Sequence, residues 1–268
     1  MKKKLIVPRI SIVLFIAAFL PLSASLYAQA PDAAAVIRNS RDRIKADTVM
    51  TQSRMVLTAK NGSTSERMLV QYSKDGAKGN RTVVVFQRPA SVANTRFLTM
   101  ENPGRADDRW IFLPSLGKVR RIAASEGSGS FMGTDLSYDD VSSQERNADL
   151  DTHRILREEA LNGKSCYVIE SIPRDSSYQY GKMLQWIDKS NSVNYRIELY
   201  DKKGNQVKFF ETLELKDVQG RLTPMVTKMT TINAGTSTTI TVERIQYDGN
   251  IPEKVFTVDY LETGNARG

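Results

Sequence analysis

The chain has 268 residues, 40% of them hydrophobic and 25% charged, with one histidine, one cysteine and a net charge of +8. A chain of this length can bury a core without covalent staples; the single Cys166 excludes an internal disulfide, and the single His153 excludes a multi-histidine zinc site. Lys2, Lys3, Lys4 and Arg9 lie in an N-terminal segment without acids, so the remainder carries +4, too little to argue for nucleic acid but compatible with visits to an anionic membrane surface.

That segment has a basic start, an apolar run from Ile10 to Leu20 and a small-residue stretch ending Leu26-Tyr27-Ala28-Gln29-Ala30, the three regions of a signal peptide. The run is shorter than the roughly 20 residues of a membrane span. Cleavage is expected after Ala28, because cleavage after Ala30 would place Pro31 first. No cysteine is near the cleavage site to carry a lipid, so residues 1–28 read as an address and 29–268 as a single soluble domain.

One helix is expected over Asp32 to Lys45, where Ala33, Val36, Ile37, Ser40 and Ile44 form a stripe after a Pro31-Asp32 start signal. Strands follow. Thr51–Thr58, Glu66–Ser73, Thr82–Gln87, Thr95–Met100 and Arg109–Leu113 are rich in β-branched and aromatic residues and are separated by turns such as Lys60-Asn61-Gly62-Ser63. The second half repeats the rhythm in Thr152–Glu158, Ser165–Ile172, Lys182–Asp188, Asn194–Asp201, Gln206–Lys216, Leu222–Ile232 and Ser237–Tyr247.

Leu184 and Trp186 share a face, the register near Phe209-Phe210 is ambiguous, and the apolar phase switches across Glu243-Arg244, as a bulge would make it. The fold class is mainly β: a curved antiparallel half-barrel of about 11 strands, with a few helices closing its concave mouth. The long irregular stretch Ala123 to Asp151 carries Phe131, Met132, Leu136 and Tyr138, too apolar for a solvated linker, and is expected to pack across an opening of the sheet.

Catalytic chemistry does not assemble. No G-x-S-x-G elbow accompanies His153. The glycines Gly127, Gly129 and Gly133 lack the G-K-[ST] ending of a phosphate loop. Asp135, Asp139 and Asp140 miss the spacing of an EF-hand, and the last two open a short helix at Ser137 to Ser142. Cys166 reads as a buried strand residue. No catalytic residue, metal or cofactor is expected. What remains is an apolar interior around Phe97, Trp110, Phe112, Leu113, Leu116, Val119, Ile122, Phe131 and Met132; each alone is ordinary core, but a half-barrel needs a plug or a lipid to fill it.

The stretch Asp107-Asp108-Arg109-Trp110-Ile111-Phe112-Leu113-Pro114-Ser115-Leu116-Gly117-Lys118-Val119-Arg120-Arg121-Ile122, with Gly129-Ser130-Phe131-Met132-Gly133-Thr134-Asp135-Leu136-Ser137-Tyr138-Asp139-Asp140, resembles the outer-membrane lipoprotein-sorting protein branch of the LolA-like superfamily. The C-terminal Ile251 to Glu262 resembles its closing segment, and the likeness covers nearly all of the mature chain.

The resemblance implies an incomplete barrel with an acyl-chain cavity, residence in the periplasm of a two-membrane bacterium, and an association with RND-type (MMPL-like) inner-membrane exporters. The implied function is a carrier of acyl lipid or lipoprotein between the two membranes, with transient membrane contact. A periplasmic adaptor or sensor of an envelope transport complex, carrying no cargo, is the alternative. The candidate cavity or lid residues are Phe97, Trp110, Phe112, Leu116, Val119, Ile122, Phe131, Met132, Leu136 and Trp186, and Lys118, Arg120 and Arg121 are the candidate headgroup or membrane contacts.

Overall fold

The protein's computed structural model describes residues 31–76, 79–102, 105–142 and 148–266; the expected signal peptide lies outside the described residues. Its strands are β1 (Thr48–Thr58), β2 (Thr64–Lys74), β3 (Arg81–Arg88), β4 (Arg96–Met100), β5 (Asp108–Leu113), β6 (Lys118–Ile122), β7 (Asp151–Leu161), β8 (Lys164–Pro173), β9 (Lys182–Asp188), β10 (Asn194–Tyr200), β11 (Gln206–Val218), β12 (Arg221–Thr231) and β13 (Thr236–Tyr247). The helices are α1 (Ala33–Asp42), α2 (Tyr138–Ser142) and α3 (Val258–Thr263). One antiparallel sheet takes the order β6-β5-β4-β3-β2-β1-β13-β12-β11-β10-β9-β8-β7, two meanders joined where β1 pairs with β13. The sheet does not close: β6 and β7 are its edges.

The sheet has 13 strands among the described residues rather than about 11. Lys118–Ile122 hides as a strand because it is an edge, and its cations face solvent where a central strand would show alternation. Turn chemistry sets the registers. Asn162-Gly163 and Gln219-Gly220 are two-residue hairpin turns with φ of 51° and 78°, and 52° and 77°, the left-handed values that such turns require and that glycine adopts without strain. The bulge expected near Glu243 is present: Gln52 pairs with Arg244 and Ser53 with Val242, leaving Glu243 unpaired. In β11 the pairing at Phe209-Phe210 is regular, with Phe210 on the inner face, and the irregularity comes later: Thr212 pairs with Thr227, Glu214 with Val226 and Leu215 with Pro224, so Leu213 is an extra residue.

Each face of the sheet is covered. On the inner face, Met55, Leu69, Phe86, Phe97, Ile111 and Met229 belong to one buried cluster. α1, capped by the Asp32 carboxylate accepting from the N–H groups of Ala34 and Ala35 at 3.2 Å each, lays Ala33 and Ile37 on Ile169 and Ile187 of β8 and β9. On the outer face the C-terminal segment packs Ile251, Val255, Phe256, Tyr260 and Leu261 against Val83 and Leu98. Burial of a side chain such as Phe256 contributes about 2 kcal/mol, so this short segment is held by area rather than by its six-residue helix. Cys166 is fully buried on the outer side with Val168 and Trp186, and burial pushes its thiol pKa up.

Candidate functional site

On the inner face residues distant in sequence converge on an apolar surface, and residues 130–142, between β6 and β7, lie on it. Phe131, Leu136 and Val141 of this lid are buried in the inner cluster with strand residues. A β-bridge between Ser130 and Ser137 closes the lid's apex into a small loop, turned at Met132 and Gly133 by φ values of 53° and 74°. The Phe131 ring sits 5.1 Å from that of Phe97, 5.7 Å from that of Phe86 and 5.7 Å, edge-on, from that of Tyr138. The lid therefore packs across the sheet as its apolar composition requires.

Polar contacts pin this apolar plug. The Arg67 guanidinium on β2 donates to the Met132 carbonyl at 2.6 Å and stacks over the Phe86 ring at 5.8 Å; burial lowers its pKa. The Asp135 carboxylate is buried and accepts from the hydroxyls of Thr236 and Thr238 on β13. Arg109 on β5 pairs with Asp139 at 2.7 Å. Asp140 accepts from Lys208 at 3.0 Å and from the Tyr180 hydroxyl at 2.9 Å, and burial together with that carboxylate pushes the phenol pKa up. Asp135, Asp139 and Asp140 thus anchor the lid to β5, β11, β13 and the segment before β9. Each is a reversible bond, and buried polar groups need such partners to lie against an apolar face at all.

The expected site residues divide across the sheet. Phe97, Ile122, Phe131, Met132 and Leu136 lie on the inner side in or against the buried cluster. Trp110, Phe112 and Val119 pack on the outer face under the C-terminal segment, and Trp186 lies in a separate outer cluster with Cys166. Strand period decides this: Trp110 and Phe112 alternate with Ile111, so one strand serves both faces. Leu116 stands at the β5–β6 turn, 57% exposed. Arg120 pairs with Glu126 at 2.6 Å and Arg121 with Asp108, while Lys118 is exposed. Reading by local composition overlooked Arg67, whose signal was a cation in the same phase as the apolar Leu69, and the Thr236/Thr238 pair, which only cross-strand pairing makes a site.

His153 is consumed structurally. One ring nitrogen faces the Ser171 hydroxyl at 2.8 Å and the other the Ala148 carbonyl at 2.8 Å, and Ser171 is fully buried beside Gln185, out of reach of a substrate. A cleft of about 490 Å³ lies beside Arg67, lined also by Gln52, Glu66, Met68, Gln87 and Arg88, polar as much as apolar.

A family model described as an uncharacterized protein matches residues 78–263. Among solved structures, a domain assigned as an outer-membrane lipoprotein-sorting protein from Vibrio parahaemolyticus is 27% identical, with a TM-score of 0.81 over 86% of this chain and 98% of that one. A DUF1329-family protein from Desulfovibrio piger is 26% identical, with a TM-score of 0.82 over 86% and 100%. A LolA-superfamily protein from Nitrosomonas europaea shares the fold at 22% identity, with a TM-score of 0.71 over 86% and 100%. No curated protein matches the chain.

Proposed function

Since the chain belongs to the family of that model, within the outer-membrane lipoprotein-sorting branch of the LolA-like superfamily, we propose that it is a periplasmic carrier of an acyl lipid or lipoprotein between the inner and outer membranes. The observation that carries this reading is an apolar lid seated in an aromatic slot of the inner face and held there by reversible polar bonds. It is a binding protein and not an enzyme; no bond of the cargo is made or broken.

The magnitudes permit exchange. Lifting Phe131, Leu136 and Val141 off the sheet forfeits about 1.5–3 kcal/mol each, or roughly 5–9 in all, and an acyl chain of about 12 methylenes gains roughly 10 kcal/mol at 0.8 per CH₂. The apolar terms are of similar size, and the lid's polar anchors add to the cost of opening it. Phe97, Ile122, Phe131, Met132 and Leu136 are the residues the cargo would meet. Cleavage after Ala28 and supply of cargo by an RND- or MMPL-type exporter are parts of the proposal that rest on the leader pattern and the family resemblance.

The same packing supports a second reading, in which the lid never leaves and the filled face belongs to a cargo-free adaptor of an envelope complex. Native mass spectrometry of the protein purified gently from the periplasm, followed by lipid extraction, separates the two. A stoichiometric lipid is the outcome expected of the carrier; a bare protein that also refuses a fluorescent fatty-acyl probe is the adaptor.

A further inference from the structure

Strand direction sorts the turns of the sheet onto two rims. β1 runs from Thr48 to Thr58, and antiparallel alternation brings to its far rim the turns 59–63, 89–95, 114–117, 174–181, 201–205 and 232–235, with the start of β7 and the end of β8. Six large hydrophobic side chains are exposed among the described residues. Four of them, Leu116, Leu150, Ile172 and Ile232, stand on this rim; Leu156 and Leu213 are bulge residues within strands, and the opposite rim has none. Single exposed hydrophobics are ordinary, whereas their segregation to one edge marks a surface.

The balance of charge also differs between the rims, through their acids. The rim exposes Lys60, Arg88, Lys118, Arg174, Lys202 and Lys203. Its acids are mostly engaged: Asp201 within its own turn by the Asn205 side chain and N–H, Asp175 by the N–H of Ser177, Asp149 at 4.0 Å from Arg38 and Glu66 at 3.5 Å from Arg54, while Asp151 is buried. The turns 59–63, 89–95, 114–117 and 232–235 contain no acid at all, whereas the opposite rim mixes the cations Lys45, Arg105, Arg121 and Lys189 with Asp75, Glu101, Asp107 and Asp248. The turns 59–63 and 232–235 are neighbours in space as well: a Cβ at Gly235 would lie 3.3 Å from the Lys60 side chain.

The lid's apex reaches the same rim. Arg67 and the first residues of β13, Thr236 and Thr238, which hold Met132 and Asp135, belong to the strand ends that make it. We propose that this rim is the docking surface for an anionic phospholipid bilayer, with Leu116 and Ile232 entering the headgroup layer and Lys60 and Lys118 meeting anionic headgroups. Docked so, the lid apex faces the bilayer, and cargo passes between bilayer and inner face without crossing open water. The proposal deepens the carrier reading and rests on it for the route of the cargo; the surface itself stands on the segregation of apolar and basic side chains.

The test is vesicle flotation of purified protein, its N-terminal processing checked by intact mass. Phosphatidylglycerol–phosphatidylcholine vesicles are compared with phosphatidylcholine alone. The expected result is binding to the anionic vesicles only, falling by about 30-fold or more for the double variant Lys60→Glu/Lys118→Glu and clearly for Leu116→Asp/Ile232→Asp. All four positions are exposed and at or beside turns, and an unchanged melting curve shows that the variants fold. Wild-type protein that ignores anionic vesicles, or variants that bind as wild type does, would overturn the docking surface. Native mass spectrometry of the same variants keeps the two readings apart: lost docking with retained lipid leaves the carrier intact, and lipid absent from wild type while docking persists removes the carrier and spares the surface.

Discussion

Asp135 and Thr238 hold each other twice: the Thr238 hydroxyl donates to the Asp135 carboxylate at 2.7 Å, and its oxygen accepts the Asp135 backbone N–H at 3.0 Å. One residue is in the lid and the other in β13, 103 positions apart. This pair ties the lid to β13, and its removal is the most direct test of whether the lid opens. A hydrogen bond to a charged group contributes about 1.5–3 kcal/mol, so Asp135→Ala should raise amide exchange across Phe131–Leu136 by roughly 30-fold. Exchange there that stays at the wild-type rate would mean that the joint does not hold the lid.

Arg67→Met removes the donor to the Met132 carbonyl while keeping an unbranched stem against Phe86. The expected cost to lid anchoring is about 1–2 kcal/mol, read as a several-fold faster uptake of a fluorescent fatty-acyl probe with little change in final occupancy. A variant that melts earlier yet takes up probe at the wild-type rate would assign Arg67 to stability alone.

Phe131→Ala empties the slot between Phe86 and Phe97. Truncating a buried phenylalanine costs about 3–5 kcal/mol. If an acyl chain uses the same slot, the cost should be partly restored by a fatty-acyl ligand, so the ligand-induced rise in melting temperature should exceed that of wild type. An equal rise in both proteins would place the ligand elsewhere.

Trp110 and Phe112 lie under the C-terminal segment on the outer face. Phe112→Ala, at a half-buried position, should lower stability by about 1–3 kcal/mol, less than a fully buried phenylalanine would, while the folded fraction retains as much lipid as wild type. Loss of lipid from a variant that remains folded would show that the outer face takes part in binding.

Asp108 carries an acid-range prediction. Hydrogen bonds from Arg105, Arg121 and Asn102 hold its pKa down to about 2. A carboxylate with a depressed folded-state pKa contributes stability that is complete above its unfolded pKa, about 4, and is lost as pH falls toward the folded value. Asp108→Asn should therefore be less stable than wild type at neutral pH, with the difference shrinking between about pH 4 and the folded-state value near 2. A difference between the two melting curves that is independent of pH across that window would remove Asp108 as its source.

The sequence by itself determined the class of the fold, because strand alternation and turn chemistry are local. Hairpin turns such as Asn162-Gly163, the bulge at Glu243, the burial of Cys166 and the short helix after Ser137 were all legible from neighbours within a few residues. The lid, too, announced itself by composition, since Phe131 and Leu136 are too apolar to stand in water. Tertiary structure alone decided which apolar residues share a face. Trp110 and Ile111 are adjacent in the chain and lie on opposite sides of the sheet, and the pinning of Asp135 by Thr236 and Thr238 exists only because β13 pairs with β1. Edge strand β6 escaped for the complementary reason: its apolar residues, Val119 and Ile122, lie on opposite faces among three cations and make no alternation, so Lys118–Ile122 became a strand through pairing with β5 rather than through its own pattern.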